Sequence, residues 1–162
     1  MQQVLGAAEE IAAAMGLGDV RVVGSIPPRV DLPGAYLPIV GVRGPSMYIG
    51  WLASPDGCEA LAKALLGHPA EGRIPPSEVM DAMGEIVNMV AGAFKRRMAF
   101  HNDAFILGLP VFAASHIRPL AGRALATEIT CGHVSSVLIV MGNADDAHAR
   151  AAAVPSAAWD KR

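Results

Sequence analysis

In "DAMGEIVNMVAGAFK", residues 81–95, Glu85 and Asn88 stand three apart, with Asp81 four residues earlier and Gly92 four residues later. Residues three and four apart share one face of a helix, so this spacing stacks two carboxylates, an amide and a bare backbone along one strip. Glu85 offers a carboxylate for a cation. Asn88 can both donate and accept, which suits it to holding a water or a substrate oxygen. Gly92 would let a partner's backbone or a phosphate come close to the helix. Solvated helix surface is the default reading of such residues. Against it, Asn costs several tenths of a kcal/mol and Gly about 1 kcal/mol relative to Ala in a helix interior, and Lys, Gln or a Glu–Lys pair would serve solubility better. On residue physics alone two readings stand, solvated surface as the default and contact with a partner as the one that would account for both choices.

Other catalytic sets are not visible. His68, His101, His116, His133 and His148 are scattered without HExxH spacing or a close acidic cluster, so each reads as a surface or turn histidine and no metal site is expected. Ser46, Ser115, Ser135 and Ser136 lack a G-x-S-x-G elbow, and neither GxGxxG nor a P-loop occurs. Cys58 and Cys131 stand alone and read as small reduced hydrophobes. A net charge of -2, with no basic run longer than Lys95–Arg97, lacks the footprint of a nucleic-acid binder. The first residues, "MQQVLGAAEEIAAAMGL", have no basic start and carry Glu9 and Glu10 where a signal peptide would be apolar. No apolar run reaches the roughly 20 residues that span a bilayer, so a cytoplasmic protein without membrane insertion is expected.

The strip needs a rigid carrier. Met80, Met83, Ile86, Val87, Val90 and Phe94 form an apolar stripe on the far side of the same helix, which runs from Ser77, its expected N-cap, to about Met98. Met89 lies at the edge of that stripe and is the one methionine placed to touch a partner. "KRR" at the end complements the helix dipole or meets an acidic partner. Earlier, residues 2–17 show helical spacing, Val20–Ile26 is β-branched, and "PPRVDLPGA" is too rich in proline for a central strand. "YLPIVGVR" and "SMYIGWLAS" read as a hairpin, weakened by Pro38. Ser54 caps a short helix, with Pro55 at its first position and Gly67 at its end. After the long helix, "AFILGLPVFAAS" carries apolar strands from Phe105 to Ala114, and "RALATEITC" and "VSSVLIVM" pair across Gly132 and His133. With 52% hydrophobic and 17% charged residues, the chain has ample material for one core. The expectation is a single α+β domain over residues 1–142, an antiparallel sheet covered by helices, followed by a flexible Ala/Pro-containing tail at 143–162.

The segment Asp81-x-x-x-Glu85-x-x-Asn88, followed after 21 intervening residues by Pro110 in "LGLPVF", resembles the signature of the CheX/CheC family of chemotaxis phosphatases. The order of elements is similar over roughly residues 20–141. Only one copy is present, which is similar to the single-site CheX type. The resemblance implies a protein substrate, the aspartyl phosphate of a CheY-like response regulator. It implies that Asn88 positions the attacking water and Glu85 docks to the regulator's active-site lysine. It also implies no cofactor of the protein's own, Mg²⁺ being held by the phosphorylated partner. Asp81, Gly92 and Met89 then become candidate partner contacts, and a homodimer that extends the sheet through residues 105–114 is the implied assembly. Two rivals stay open: a non-catalytic binding or switch module of the same fold, and a small-molecule-binding domain suggested by "PPRVDLPGAYLP", which would need a preformed apolar pocket.

Overall fold

Local signals set the elements, and long-range pairing sets their order. The computed structural model describes residues 1–27, 31–42, 46–99, 105–114 and 124–142. They form helices α1 (Gln2–Ala14), α2 (Pro55–Leu66) and α3 (Pro76–Met98) and strands β1 (Val20–Ile26), β2 (Gly34–Gly41), β3 (Met47–Ala53), β4 (Phe105–Leu107), β5 (Val111–Ala113), β6 (Ala124–Cys131) and β7 (Val134–Gly142). All pairs are antiparallel, in the order β1-β6-β7-β3-β2-β4, with β5 also on β2. The α+β architecture and the helix-covered antiparallel sheet are as the sequence predicts. No described helix is long and apolar enough to cross a membrane.

Alternation along the strands gives the sheet two apolar faces. One carries Leu37, Ile39, Ile49, Trp51, Ile129 and Leu138 into the same core as Val4 and Ile11 of α1, Leu61 of α2, and Met83, Ile86 and Val90 of α3. The other gathers Leu52, Ala126, Val137, Ile139 and Met141 into a second cluster. The β6–β7 turn falls on Gly132 and His133, with Gly132 at φ 57°, a conformation that favours glycine. Helix α2 begins with the Ser54 hydroxyl accepting from the Gly57 N–H at 3.1 Å and stops at Gly67 in the left-handed region, as expected.

Three expectations need correction. Helix α1 ends at Ala14 rather than Leu17, because Gly16 turns left-handed and its N–H closes on the Ala13 carbonyl. Ser77 does not cap α3. The helix starts at Pro76, whose missing N–H and fixed φ suit the first position. Met80 does not face the core. It is 46% exposed, while Ala82, Gly84, Ala91 and Ala93 widen the buried arc that the stripe alone outlined. Residues 105–114 form two short strands, in line with the apolar strands expected there. The break lies at Gly108–Pro110, where the Gly108 N–H donates to the Pro38 carbonyl at 2.8 Å. Pro38 itself pairs with Tyr48 within β2, and on its other flank it sits between the residues paired to β5 and those paired to β4. Its lack of an N–H is tolerated in that gap. The tail at 143–162 and His101, Ser115, His116 and His148 lie outside the described residues.

Candidate functional site

Helix α3 is the central helix, flanked by α1 and α2 and lying over β2 and β3. With three sides occupied, only a narrow strip reaches solvent, and small residues at Ala82, Gly84, Ala91 and Ala93 let the neighbours pack close. Asp81 and Glu85 are exposed on that strip, while Asn88 and Gly92 are half-buried. All four residues picked out by spacing are accessible, as are Met80 toward the start of the helix and Lys95 and Arg96 toward its end. Asn88 Nδ2 donates to Glu85 Oε2 at 3.4 Å, a long bond within one turn. Such a bond orients both side chains yet releases them at little cost. It also points the amide carbonyl of Asn88 away from Glu85.

A Cβ added at Gly92 would meet only Arg96 Nη1, at 4.0 Å. Nothing within the chain requires glycine there. At Gly84 a Cβ would stand 3.6 Å from Cγ of Pro110, an ordinary van der Waals contact, so the proline packs over this backbone one residue before Glu85 without demanding glycine. Two residues before Pro110, Gly108 packs so close to β2 that an added Cβ would stand 2.5 Å from Cγ of Pro38. Met80, Asp81, Gly84, Glu85, Pro110 and Phe112 line a depression of about 310 Å³. Asp81 and Glu85 of the strip are thus brought together with Pro110, while Asn88 lies one turn further along α3, outside this lining. Met89 is half-buried and packs against the core.

Two features were not foreseen from sequence. Glu59 is 8% exposed and pairs with Lys63 at 3.0 Å and Arg73 at 2.9 Å, and it accepts from the Ile74 N–H at 3.3 Å. Lys63 also donates to the carbonyls of Ala70, at 3.0 Å, and Gly72. This network ties the loop at 70–74 to α2 and so sets where α3 begins. The Lys63 hydrogen bond, chiefly, holds the Glu59 carboxyl below its usual range, helped by Arg73 and Ile74 and opposed by burial. The i,i+4 spacing of Glu59 and Lys63 was the available signal. At the other end, Arg96 and Arg97 pair with Glu10 of α1 at 2.5 and 3.5 Å, so two of the three basic residues join helices.

The remaining polar groups have structural settings. Burial pushes the Cys58 thiol up to about 11 and raises that of Cys131, which keeps both protonated. Ser135 Oγ donates to Glu128 at 3.2 Å, Ser136 is buried in the sheet, and His68 lies 3.6 Å from Glu78. Among the described residues no group of three or more His, Cys, Asp or Glu is placed to hold a metal ion.

Residues 36–131 match the family model described as chemotaxis phosphatase CheX. No curated relative matches the sequence. Among solved structures, a chemotaxis protein CheX from Vibrio vulnificus superposes with a TM-score of 0.71 at 19% identity, covering 87% of this chain and 97% of that one. A chemotaxis protein CheX from Desulfovibrio desulfuricans gives 0.68 at 17% identity, covering 88% and 97%. The CheX of a CheX–CheY–BeF₃–Mg²⁺ complex from Borrelia burgdorferi gives 0.63 at 14% identity, covering 88% and 96%. At these identities the structural likeness is one of fold.

Proposed function

The chain belongs to the CheX family of chemotaxis phosphatases, and from that premise we propose that it hydrolyses the aspartyl phosphate of a CheY-like response regulator with Asn88 and Glu85. The observation that carries the reading is the placement of these two side chains. They sit one turn apart on a solvent-facing strip of a helix flanked by α1, α2 and the sheet, joined by a single long hydrogen bond. One docking event presents both to the same partner.

An acyl phosphate is already activated, and phosphoryl transfer through a loose transition state asks for positioning and charge stabilisation rather than a strong base. With Nδ2 turned toward Glu85, the Asn88 carbonyl oxygen accepts a hydrogen bond from water and directs its lone pair at phosphorus. The water oxygen forms the new P–O bond as the acyl P–O bond breaks. Orthophosphate leaves carrying the water's protons, and the regulator's aspartate is restored as a carboxylate. Glu85 pairs with the regulator's active-site lysine and fixes the approach. In this reading the Mg²⁺ is the regulator's, and this chain adds an amide and a carboxylate. Asp81 is a rim contact, and the β4–β5 edge forms a homodimer by extending the sheet.

The test follows phosphate release from a phosphorylated CheY-like regulator. Wild type is expected to accelerate it, Asn88→Ala to lower kcat about 100-fold through misplacement of water, and Glu85→Ala to lower kcat/KM by about 2 kcal/mol, roughly thirtyfold. No acceleration by wild type with any plausible regulator sinks the catalytic reading and leaves the binding-module alternative. An Asn88→Ala variant as active as wild type removes the assigned mechanism.

A further inference from the structure

Beside the depression at Glu85 runs a second, larger groove of about 530 Å³, between the start of α3, the start of α2 and β5. We propose that this groove takes an apolar side chain of the same response regulator, so that Met80 and Phe112 set which regulator is accepted; the proposal rests on the reading of the site as a regulator-docking surface. Its walls are Pro33, Pro55, Ile74, Pro76, Val79 and Phe112, with Met80 at the rim. Proline walls are stiff, so the groove is preformed and little ordering entropy is lost when it fills. Of its charged members, Glu59 is buried and already bonded to Arg73, whose exposed side chain stands at the rim.

Continuity argues for the occupant. Met80 and Phe112 line both this groove and the depression that holds Asp81, Glu85 and Pro110. At 1.5 Å per residue, Met80 lies about 12 Å along α3 from Asn88. A standard interface of about 800 Å² per partner reaches roughly 16 Å from its centre. A regulator that brings its phosphate to Asn88 therefore covers Met80 as well. Toward the other end of α3, Arg96 and Arg97 are engaged by Glu10, which leaves the apolar end as the anchoring side. Met80 is nearly half exposed and Leu109, beside Pro110, is 84% exposed, so both gain from being covered. The groove is open along Pro55, Pro76 and Met80, all exposed, which suits an inserted side chain better than an enclosed small molecule.

The experiment titrates a CheY-like regulator, activated with beryllofluoride and Mg²⁺, into full-length wild type, Met80→Glu, Met80→Leu and Asn88→Ala, and measures hydrolysis of the phosphorylated regulator in parallel. Met80→Glu is expected to raise Kd and KM at least tenfold while kcat at saturation holds. Met80→Leu is expected to restore wild-type binding, and Asn88→Ala to bind normally with the kcat loss of about 100-fold given above. Met80 is exposed, so thermal unfolding of Met80→Glu should match wild type. Binding of Met80→Glu indistinguishable from wild type overturns the groove and leaves the phosphatase reading standing, with a small apolar ligand as the groove's remaining occupant. Binding that weakens in Met80→Glu but is never followed by accelerated hydrolysis supports the groove and overturns the phosphatase reading. No binding by wild type overturns both.

Discussion

Asn88 and Gly92 are the residues whose presence costs the helix stability, and each is accounted for differently. Asn88 has a bond to Glu85, but one long enough to be exchanged for a partner. Gly92 has no packing reason to be glycine, since open space surrounds the place where a Cβ would stand. Gly92→Ala should therefore raise stability by about 1 kcal/mol in denaturant unfolding, because a helix gains that much from the exchange and nothing clashes. Gly92→Leu should fold as well yet weaken regulator binding at least tenfold, since a branched side chain would hold the partner off the strip. Unchanged binding by Gly92→Leu would make Gly92 ordinary helix surface. Gly84 is buried beneath Pro110 with room for a methyl group, so contact with the proline does not demand glycine there either.

At the scale of elements, α3 owes its position to what is tied to its two ends. Arg96 and Arg97 fasten its C-terminal end to α1 through Glu10. Glu59, Lys63 and Arg73 fasten the loop before it to α2. The Glu59 carboxyl is held below its ordinary 4.5 by the Lys63 hydrogen bond first, so the folded state binds its proton less readily than the unfolded chain. The stability this contributes is present in full above about 4.5 and is lost as pH falls from there through the lower native value. Acid titration of unfolding should accordingly show a smaller loss of stability across that window in Glu59→Gln than in wild type. Identical acid limbs would show that the network does not depend on the Glu59 charge. Loss of the network would also loosen the entry to α3, and with it the groove beside Met80.

For the whole molecule, β4 and β5 end the sheet beyond β2, each only three residues long, with Ile106 half exposed on this edge. Short edge strands resist indiscriminate pairing, yet a second copy can satisfy them by symmetry. Sedimentation equilibrium is expected to give about twice the 16.8 kDa chain mass, and a monomer at micromolar concentration would remove the homodimer from the proposal. The sequence by itself determined the carrier helix and its chemical strip, because helical periodicity acts within four residues: Asp81, Glu85, Asn88 and Gly92 had to share a face whatever lay around them. Likewise, Ser54, Pro55 and Gly67 bounded α2, since caps are local hydrogen bonds and local dihedrals. Tertiary structure decided what surrounds the strip. It placed Pro110 over Gly84, turned Met80 outward beside Phe112, split residues 105–114 across Pro38, and drew Arg73 to Glu59. Those contacts join residues far apart in the chain, so they arise only once the sheet and helices have closed on each other, and no periodicity records them.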